Sequence, residues 1–251
     1  MTGTVRYTVF GVGCAGLLVL LVMALTGMPQ FGGTAHLYRD MAVAGALLHR
    51  TPNVVTSVNF DQRGLDTFGE EAILLASVIG AVTLLRPGED EWERRPPSTG
   101  RVLHSTRLAG YVLLPVSLLL GIDVVVHGHL TPGGGFQGGV VLATGLHLLY
   151  LADSYPALRR LRPLHWYEYG ESIGMGGVVA LGVAGLLGGA GFLANILPLG
   201  QFGQLISAGT VPVFSVAIGV EVASGVVVLL AGFLEQHLAV ARKPRDDKAV
   251  A

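Results

Sequence analysis

The residues of this sequence that could carry chemistry are ionisable side chains inside apolar stretches. Glu221 lies near the middle of the apolar run 211–234, too far from either end for its carboxyl group to reach water. A charged group in hydrocarbon costs several kcal/mol unless it is paired or hydrated. Two interpretations of Glu221 therefore stay open: a group on a proton path, or a neutral acid hydrogen-bonded to a neighbouring helix.

A second set of titratable residues follows the apolar run 108–126. Asp123 and His127 are four residues apart, so they share one helical face, on which the carboxylate can orient and protonate the imidazole. His129 follows in the next loop, and His147 lies within the next apolar run. These side chains could form hydrogen bonds at a helix end or belong to an ion or proton route. Their spacing lacks a recognised zinc motif, so no metal ion is predicted.

A third set stands where another apolar run begins. Thr67 and Glu70 have the spacing of a capping box, in which both side chains satisfy free amide groups at a helix start. Glu70 is therefore either a helix cap or part of a proton route, and the cap leaves Glu71 unexplained. Three further charged residues precede the pair: Asp61, Arg63 and Asp66.

The segment 131–139, Thr-Pro-Gly-Gly-Gly-Phe-Gln-Gly-Gly, is the glycine loop. It contains no side chain for nucleophilic catalysis and lacks the Lys-Ser/Thr ending of a phosphate-binding loop, so no catalytic residue and no nucleotide site are predicted. Its glycines permit unusual backbone angles and close approach. The loop either forms a tight hairpin between two helices or exposes backbone groups that line a polar cavity at membrane depth.

The elements that must position these residues are membrane helices. A helix rises 1.5 Å per residue, so about 20 apolar residues cross the hydrocarbon core. The sequence predicts an all-α polytopic membrane protein with about six spans: 7–28, 67–85, 108–126, 136–152, 173–197 and 211–234. Residues 34–50 are amphipathic with a short apolar stretch, and they predict an interfacial or re-entrant helix that ends at Pro52.

Basic residues give the orientation of these spans. Of the 16 lysine and arginine residues, only Arg39, Arg50 and Arg63 fall on one side of the six-span arrangement. Cytoplasmic loops carry the basic excess, so both termini are predicted to be cytoplasmic and the glycine loop to face outward.

The hydrophilic segment 86–107, with its Pro96-Pro97 pair, is typical of a linker between two modules. The predicted division is 1–100, with two spans, and 101–251, with four. Three glycine pairs with a three-residue gap favour close helix packing in the second module: Gly135 and Gly139, Gly170 and Gly174, and Gly185 and Gly189.

Composition excludes other classes of protein. The chain is 51% hydrophobic and 13% charged, and its mean hydropathy is +0.60. A net charge of −1 excludes the basic balance of a nucleic-acid binder. The single cysteine, Cys14, cannot form a disulfide or hold an iron–sulfur cluster within this chain, so no cofactor is predicted.

The segment 128–139 resembles the signature of the MnhB (MrpB) subunit of Mrp-type sodium/proton antiporters, and the resemblance covers about residues 101–251. Segment 53–70 is similar to a stretch near the carboxyl end of the large MrpA subunit and in a small subunit of membrane-bound hydrogenases. It is fused ahead of the MnhB-like module, a departure from a plain four-span MnhB subunit. The motif matches at His129, Pro132, Gly133, Gly134, Gly135, Phe136, Gly138 and Gly139.

The resemblance implies a role for the chain. It implies a subunit of a hetero-oligomer in a bacterial inner membrane, beside subunits of the A, C, D, E, F and G types, that exchanges Na⁺ for H⁺ and is not an enzyme. This subunit either lines a proton or Na⁺ path or only supports the others. The alternative is a membrane-arm component of a redox complex like the energy-converting hydrogenases.

Overall fold

The structure is a computed structural model that describes residues 3–28, 32–33, 36–85, 93–94, 102–152, 164–237 and 240–241. Its elements in chain order are helices α1 (Gly3–Thr26), α2 (Leu37–Leu48) and α3 (Val54–Ser57), a π-helical turn (Val58–Gln62), helix α4 (Gly64–Leu84), strand β1 (Glu93–Arg94), helices α5 (His104–Val126), α6 (Gly135–Leu151), α7 (Leu164–Leu187) and α8 (Val211–His237), and strand β2 (Val240–Ala241). The two short strands pair antiparallel. The all-α prediction is confirmed, because the rest of the described structure is helix, turn and loop.

The chain forms two compact units, Met1–Asp40 and Met41–Ala251. In the first unit, α1 has 24 residues and a length of about 36 Å. Every described side chain of α1 is exposed, and its apolar residues lie on all sides of the helix. Such a surface suits lipid, where an apolar exterior costs nothing.

Within the described ranges, five helices are long and apolar enough to cross a membrane, namely α1, α4, α5, α7 and α8. The remaining predicted span is α6, which has 17 residues and is shorter than the other five. A polytopic membrane protein is therefore confirmed. The cytoplasmic position of the termini stays a prediction.

Helix α7 differs from the predicted span 173–197, because it begins at Leu164 and ends at Leu187. Gly189 and Gly191 follow with φ of +74° and +116°, a backbone conformation that ends a helix. The apolar residues after them form an irregular segment that leads into α8 rather than a continuation of α7. One consequence is that Glu171 lies inside a membrane helix.

Helix α8 is the centre of the second unit, and α4, α5, α6 and α7 all pack against it. Its residues Phe214, Ile218 and Val222 are almost completely buried in one hydrophobic cluster. Phe60, from the π-helical turn, joins this cluster with its ring centroid 5.0 Å from that of Phe214. The N-terminal part of the second unit thus shares one core with the glycine-rich part.

Two of the three glycine pairs form the predicted close helix contacts. A Cβ atom on Gly139 of α6 would lie 2.9 Å from the carbonyl oxygen of Gly219 in α8. A Cβ atom on Gly174 of α7 would lie 2.6 Å from Cβ of Glu221. Gly135 and Gly170 meet the same helix, at Ser215 and Ser224 respectively.

The third pair is different, and its prediction was wrong. Gly185 faces the carbonyl group of Gly191, and Gly189 lies in the turn after α7. Because α7 ends at Leu187, these glycines shape a turn instead of a contact between two helices.

Gly174→Val is expected to destabilise the protein by about 1–3 kcal/mol, since the added side chain has no space against α8. Gly176→Val is the matched control, because it lies two residues away on the same helix and has open space around it. The midpoint of thermal unfolding of the purified protein measures the difference. Equal midpoints for the two variants would contradict the described contact of α7 with α8.

Candidate functional site

The glycine loop and the residues directly before it are held by two residues from the N-terminal part of the chain. Asn53 caps α3, and its Nδ2 donates to the carbonyl oxygens of Gly128 and Thr131, each at 2.8 Å. Thr56 donates through Oγ1 to the carbonyl oxygen of Gly128 at 2.7 Å. The backbone N–H of Asn53 donates to the carbonyl oxygen of His129 at 3.0 Å. The segment 53–70 and the glycine loop, recognised separately in the sequence, therefore form one structure.

A cavity of about 220 Å³ lies where these two segments meet. Glu70 and Glu71 contribute to one side and Gly133 of the loop to the other. The lining mixes carboxyl, hydroxyl, amide and aromatic groups, and its remaining members are Thr56, Asn59, Phe60, Thr67, Phe136 and Gln137. The glycine loop therefore connects α5 and α6 and also forms one wall of the cavity, so both interpretations of the loop apply.

Glu71 is the buried carboxyl group of this cavity. Only 1% of the residue is exposed, and neither carboxyl oxygen has a hydrogen-bond partner among the described residues. Buried polar atoms are almost always hydrogen-bonded in folded proteins, so a carboxyl group left open is unusual. Glu70 is exposed on the adjacent face of α4. An open, buried carboxyl group in a cavity can accept a proton or a cation.

The predicted capping box is wrong. Helix α4 begins at Gly64, three residues before Thr67, and the hydroxyl of Thr67 donates to the carbonyl oxygen of Asn59 at 2.8 Å. The π-helical turn Val58–Gln62 is separated from α4 by Arg63 alone, so no loop precedes the helix, and no side chain caps its start. Turns of this type are frequent at functional sites.

The charged residues upstream of Glu71 form pairs. The side chain of Asp61 is 4% exposed, and its Oδ2 lies 2.5 Å from Nδ1 of His49. Arg63 forms an ion pair with Asp66. These pairs explain the charged residues at the start of α4 without any transport role. Glu71 differs from them because its carboxyl group has no such partner among the described residues.

Glu221 is the second buried carboxyl group. It lies in α8, is 1% exposed, and neither of its carboxyl oxygens has a hydrogen-bond partner among the described residues. The structure therefore shows no hydrogen bond of a neutral acid to a neighbouring helix, one of the two interpretations of this residue. The charges of Glu71 and Glu221 are close enough to interact.

Glu171 is a third buried carboxyl group, and sequence reasoning missed it. The residue is 5% exposed, and its Oε1 atom has no hydrogen-bond partner in the described structure. Its charge interacts with that of Glu221. The predicted span began at residue 173 and so left Glu171 outside the membrane. The glycine pair at Gly170 and Gly174 was a usable signal, because a helix contact there requires α7 to begin before residue 170.

The other predicted site residues are not brought into the cavity lining. Asp123 is exposed and lies 2.9 Å from Nδ1 of His127, in agreement with the predicted contact along one helical face. His147 is half-buried on α6. No group of three or more metal-ligating side chains occurs among the described residues.

His129, the motif histidine, is completely buried in the loop between α5 and α6. Its ring nitrogens make no hydrogen bond within the part of the chain that the structure describes, although backbone groups of Gln204 and Leu205 lie near the ring. Burial lowers the pKa of His129. The neutral imidazole is therefore the form that fits the loop.

Comparison with known proteins places this site in a family. An uncharacterised protein of Methanocaldococcus jannaschii is 31% identical over 201 residues, which cover 69% of this chain and 74% of that protein. A family model described as a domain related to the MnhB subunit of Na⁺/H⁺ antiporter matches residues 105–228. The chain belongs to the MnhB family.

Two antiporter proteins are similar to this MnhB-family chain over different lengths. The B-type subunit of the Na⁺/H⁺ antiporter of Bacillus subtilis is 33% identical over 91 residues, 36% of this chain and 60% of that protein. A probable K⁺/H⁺ antiporter protein of the combined A/B type from Rhizobium meliloti is 28% identical over 231 residues, 82% of this chain and 22% of that protein. The chain spans less than two thirds of either relative. An alignment over 82% of this chain must extend ahead of the residues that match the family model.

Two solved complexes contain chains with the fold of this MnhB-family chain. A chain of membrane-bound sulfane sulfur reductase, an archaeal respiratory membrane complex, gives a TM-score of 0.66 at 26% identity, over 93% of this chain and 98% of that chain. A chain of the Mrp complex from a Dietzia species gives a TM-score of 0.67 at 21% identity, over 97% of this chain and 27% of that chain. The fold of nearly the whole chain, its N-terminal part included, therefore recurs in both complexes.

The lowered pKa of His129 predicts that the protein loses stability as the pH falls below about 6.5. The unfolded chain binds a proton on this histidine more readily than the folded chain does, so acid favours unfolding. His129→Gln, which keeps a polar neutral side chain, is expected to lose less stability between about pH 7.5 and pH 5.5. Thermal unfolding midpoints at both pH values measure this. The control is His104→Gln, an exposed histidine of α5, and an unchanged pH dependence in the His129 variant would contradict the prediction.

Proposed function

We propose that this chain is a B-type membrane component of a multisubunit Mrp-type cation/proton antiporter, in which it packs beside the ion-translocating subunits. The observation that carries the proposal is the cavity in which the family's glycine loop faces the open, buried carboxyl group of Glu71. Membership of the MnhB family and the similarity to B-type antiporter subunits support it. The partners are the A, C, D, E, F and G type subunits and the lipid bilayer, and the exchanged ions are Na⁺ and H⁺.

In this proposal Glu71 is the ion-binding group. A carboxyl group inside a membrane protein is stable as a neutral acid, and it becomes a carboxylate when a cation or a positive partner group compensates its charge. The side chains and backbone groups of the cavity provide oxygen atoms beside it, the ligand type that hard cations prefer. Glu71 thus exchanges a proton for a cation, and the chain is a transporter subunit of a bacterial inner membrane rather than an enzyme.

A second candidate function is a membrane-arm component of a redox-driven complex. The supporting observation is the match to a chain of membrane-bound sulfane sulfur reductase, which extends over nearly the full length of both chains. The antiporter relative from Bacillus subtilis aligns over only 36% of this chain. In the redox complex the same cavity would couple electron transfer in other subunits to ion movement.

Purification of the intact complex through an affinity tag on this chain decides between the two functions. We expect antiporter-type subunits to co-purify and the preparation to lack iron, because cation/proton exchange needs no electron carrier and the one cysteine of this chain cannot hold an iron–sulfur cluster. Subunit identification by mass spectrometry and iron analysis are the measurements. If iron–sulfur subunits are present in stoichiometric amounts, the antiporter proposal is wrong and the redox-driven complex is the function.

Glu71→Gln is expected to reduce cation/proton exchange at least about tenfold, because the amide keeps the size of the side chain but cannot bind or release a proton. The assay is the Na⁺-induced collapse of a proton gradient in everted vesicles that contain the whole complex. Asp66→Asn is the matched control, since it removes an exposed, ion-paired carboxylate from the same helix. Immunoblots establish equal assembly, and full exchange by an assembled Glu71→Gln complex would remove Glu71 from the ion path.

A further inference from the structure

The three buried carboxyl groups lie at different depths along the helices. Helices α4, α6 and α8 begin on the same side, since the start of α6 packs on the start of α8 and lines the cavity together with α4. Glu71 is seven residues from the start of α4, and Glu221 is ten residues from the start of α8. At 1.5 Å per residue these positions are about 10 Å and about 15 Å deep.

Helix α7 runs antiparallel to α8, because Gly170 meets Ser224, Gly174 meets Glu221 and Gly177 meets Ala217. These contacts place Glu171 level with about residue 223 of α8, twelve residues from the start of that helix and so about 18 Å deep from the side of the cavity. Glu168 lies one turn further and is exposed. The carboxyl groups therefore succeed one another from the cavity side to the opposite side of the helices.

Glu221 and Glu171 lie at the same contact between α7 and α8, because Gly174 meets Cβ of Glu221 and Gly225, one turn after Glu221, meets Oε1 of Glu171. Glu70 and Glu221 both act on Glu71, Glu171 acts on Glu221, and Glu168 acts on Glu171. The first and last members are exposed, and the three between them are at least 95% buried. The succession thus begins and ends at the surface of the chain and passes through its interior.

The helices pack closely around the inner members of the succession. A Cβ atom on Gly174 would lie 2.7 Å from the backbone nitrogen of Glu221, and one on Gly225 would lie 3.2 Å from Oε1 of Glu171. Gly225 also faces Val78 of α4, so three helices close around Glu171 at this level. Proteins pack at the density of organic crystals, and the carboxyl groups are the polar atoms that remain open here.

We propose that Glu171 and Glu221 connect the cavity carboxyl group of Glu71 with the exposed Glu168, so that the chain contains a proton relay across the membrane. In each step the O–H bond of a protonated carboxyl group breaks, and an O–H bond forms on the next carboxylate through water molecules between them, because Glu71 and Glu221 make no hydrogen bond to another carboxyl group among the described residues. The donor is left as a carboxylate and is reprotonated from the preceding member. The relay rests on the proposed function, in which cation exchange at Glu71 drives proton movement. It adds Glu171 as the group that connects the cavity with the opposite end of the helices.

Infrared spectroscopy of the purified complex tests the relay independently of transport. Protonated carboxyl groups have their own C=O stretching band, which shifts when its hydrogen is exchanged for deuterium. We expect the band to lose intensity in Glu171→Gln, and the remaining Glu221 contribution to shift in frequency because its neighbour has changed. The control Asp66→Asn should leave the band as in the wild type. An unchanged band in Glu171→Gln would overturn the relay.

Transport assays of the same variants give the functional test. Glu171→Gln is expected to reduce proton movement in everted vesicles at least about tenfold, and Glu171→Asp to restore part of it, because aspartate keeps a titratable group. Wild-type rates in an assembled Glu171→Gln complex would also overturn the relay. If the wild-type complex proves to be redox-driven, the antiporter proposal fails. The infrared result still decides the relay.

Discussion

The close approach of α6 and α7 to α8 at glycine residues is the constraint on which the rest of the second unit depends. Without side chains at Gly139 and Gly174 the helix backbones come close enough to exclude water and lipid from between them. The same contact buries Glu221, because this residue stands directly opposite Gly174. The contact at Gly174 thus produces both the tight helix packing and the burial of the Glu221 carboxyl group. A side chain at Gly174 would change both.

The hydrogen bonds between segment 53–70 and the glycine loop give the cavity its second wall. Asn53 and Thr56 bind backbone carbonyl groups, which any sequence would offer, so the loop contributes its shape rather than its side chains. This accounts for a motif that is rich in glycine and has no reactive group. The chemistry belongs to the carboxyl group that faces the loop, and the loop determines the space around it.

The sequence predicted the helical membrane class, most helix positions and the buried Glu221, because long apolar runs and a charge within one of them are local signals. It placed α7 about ten residues too late, since apolar residues after Gly191 resemble a span although the backbone angles at the glycines end the helix. Glu171 was missed for the same reason. The π-helical turn before α4 packs against α8 through Phe60, a contact between distant parts of the chain, and no local sequence pattern predicts it.

The presence of segment 53–70 and the glycine loop in one polypeptide determines how the hydrogen bonds of Asn53 and Thr56 form. If the same two segments belonged to separate polypeptides, these hydrogen bonds would join two proteins, and their formation would depend on the concentration of each. Within one chain the segments meet at an effective concentration of roughly the millimolar range, so weak contacts suffice to hold the two walls of the cavity together. Each folded chain thus contains both walls in equal number.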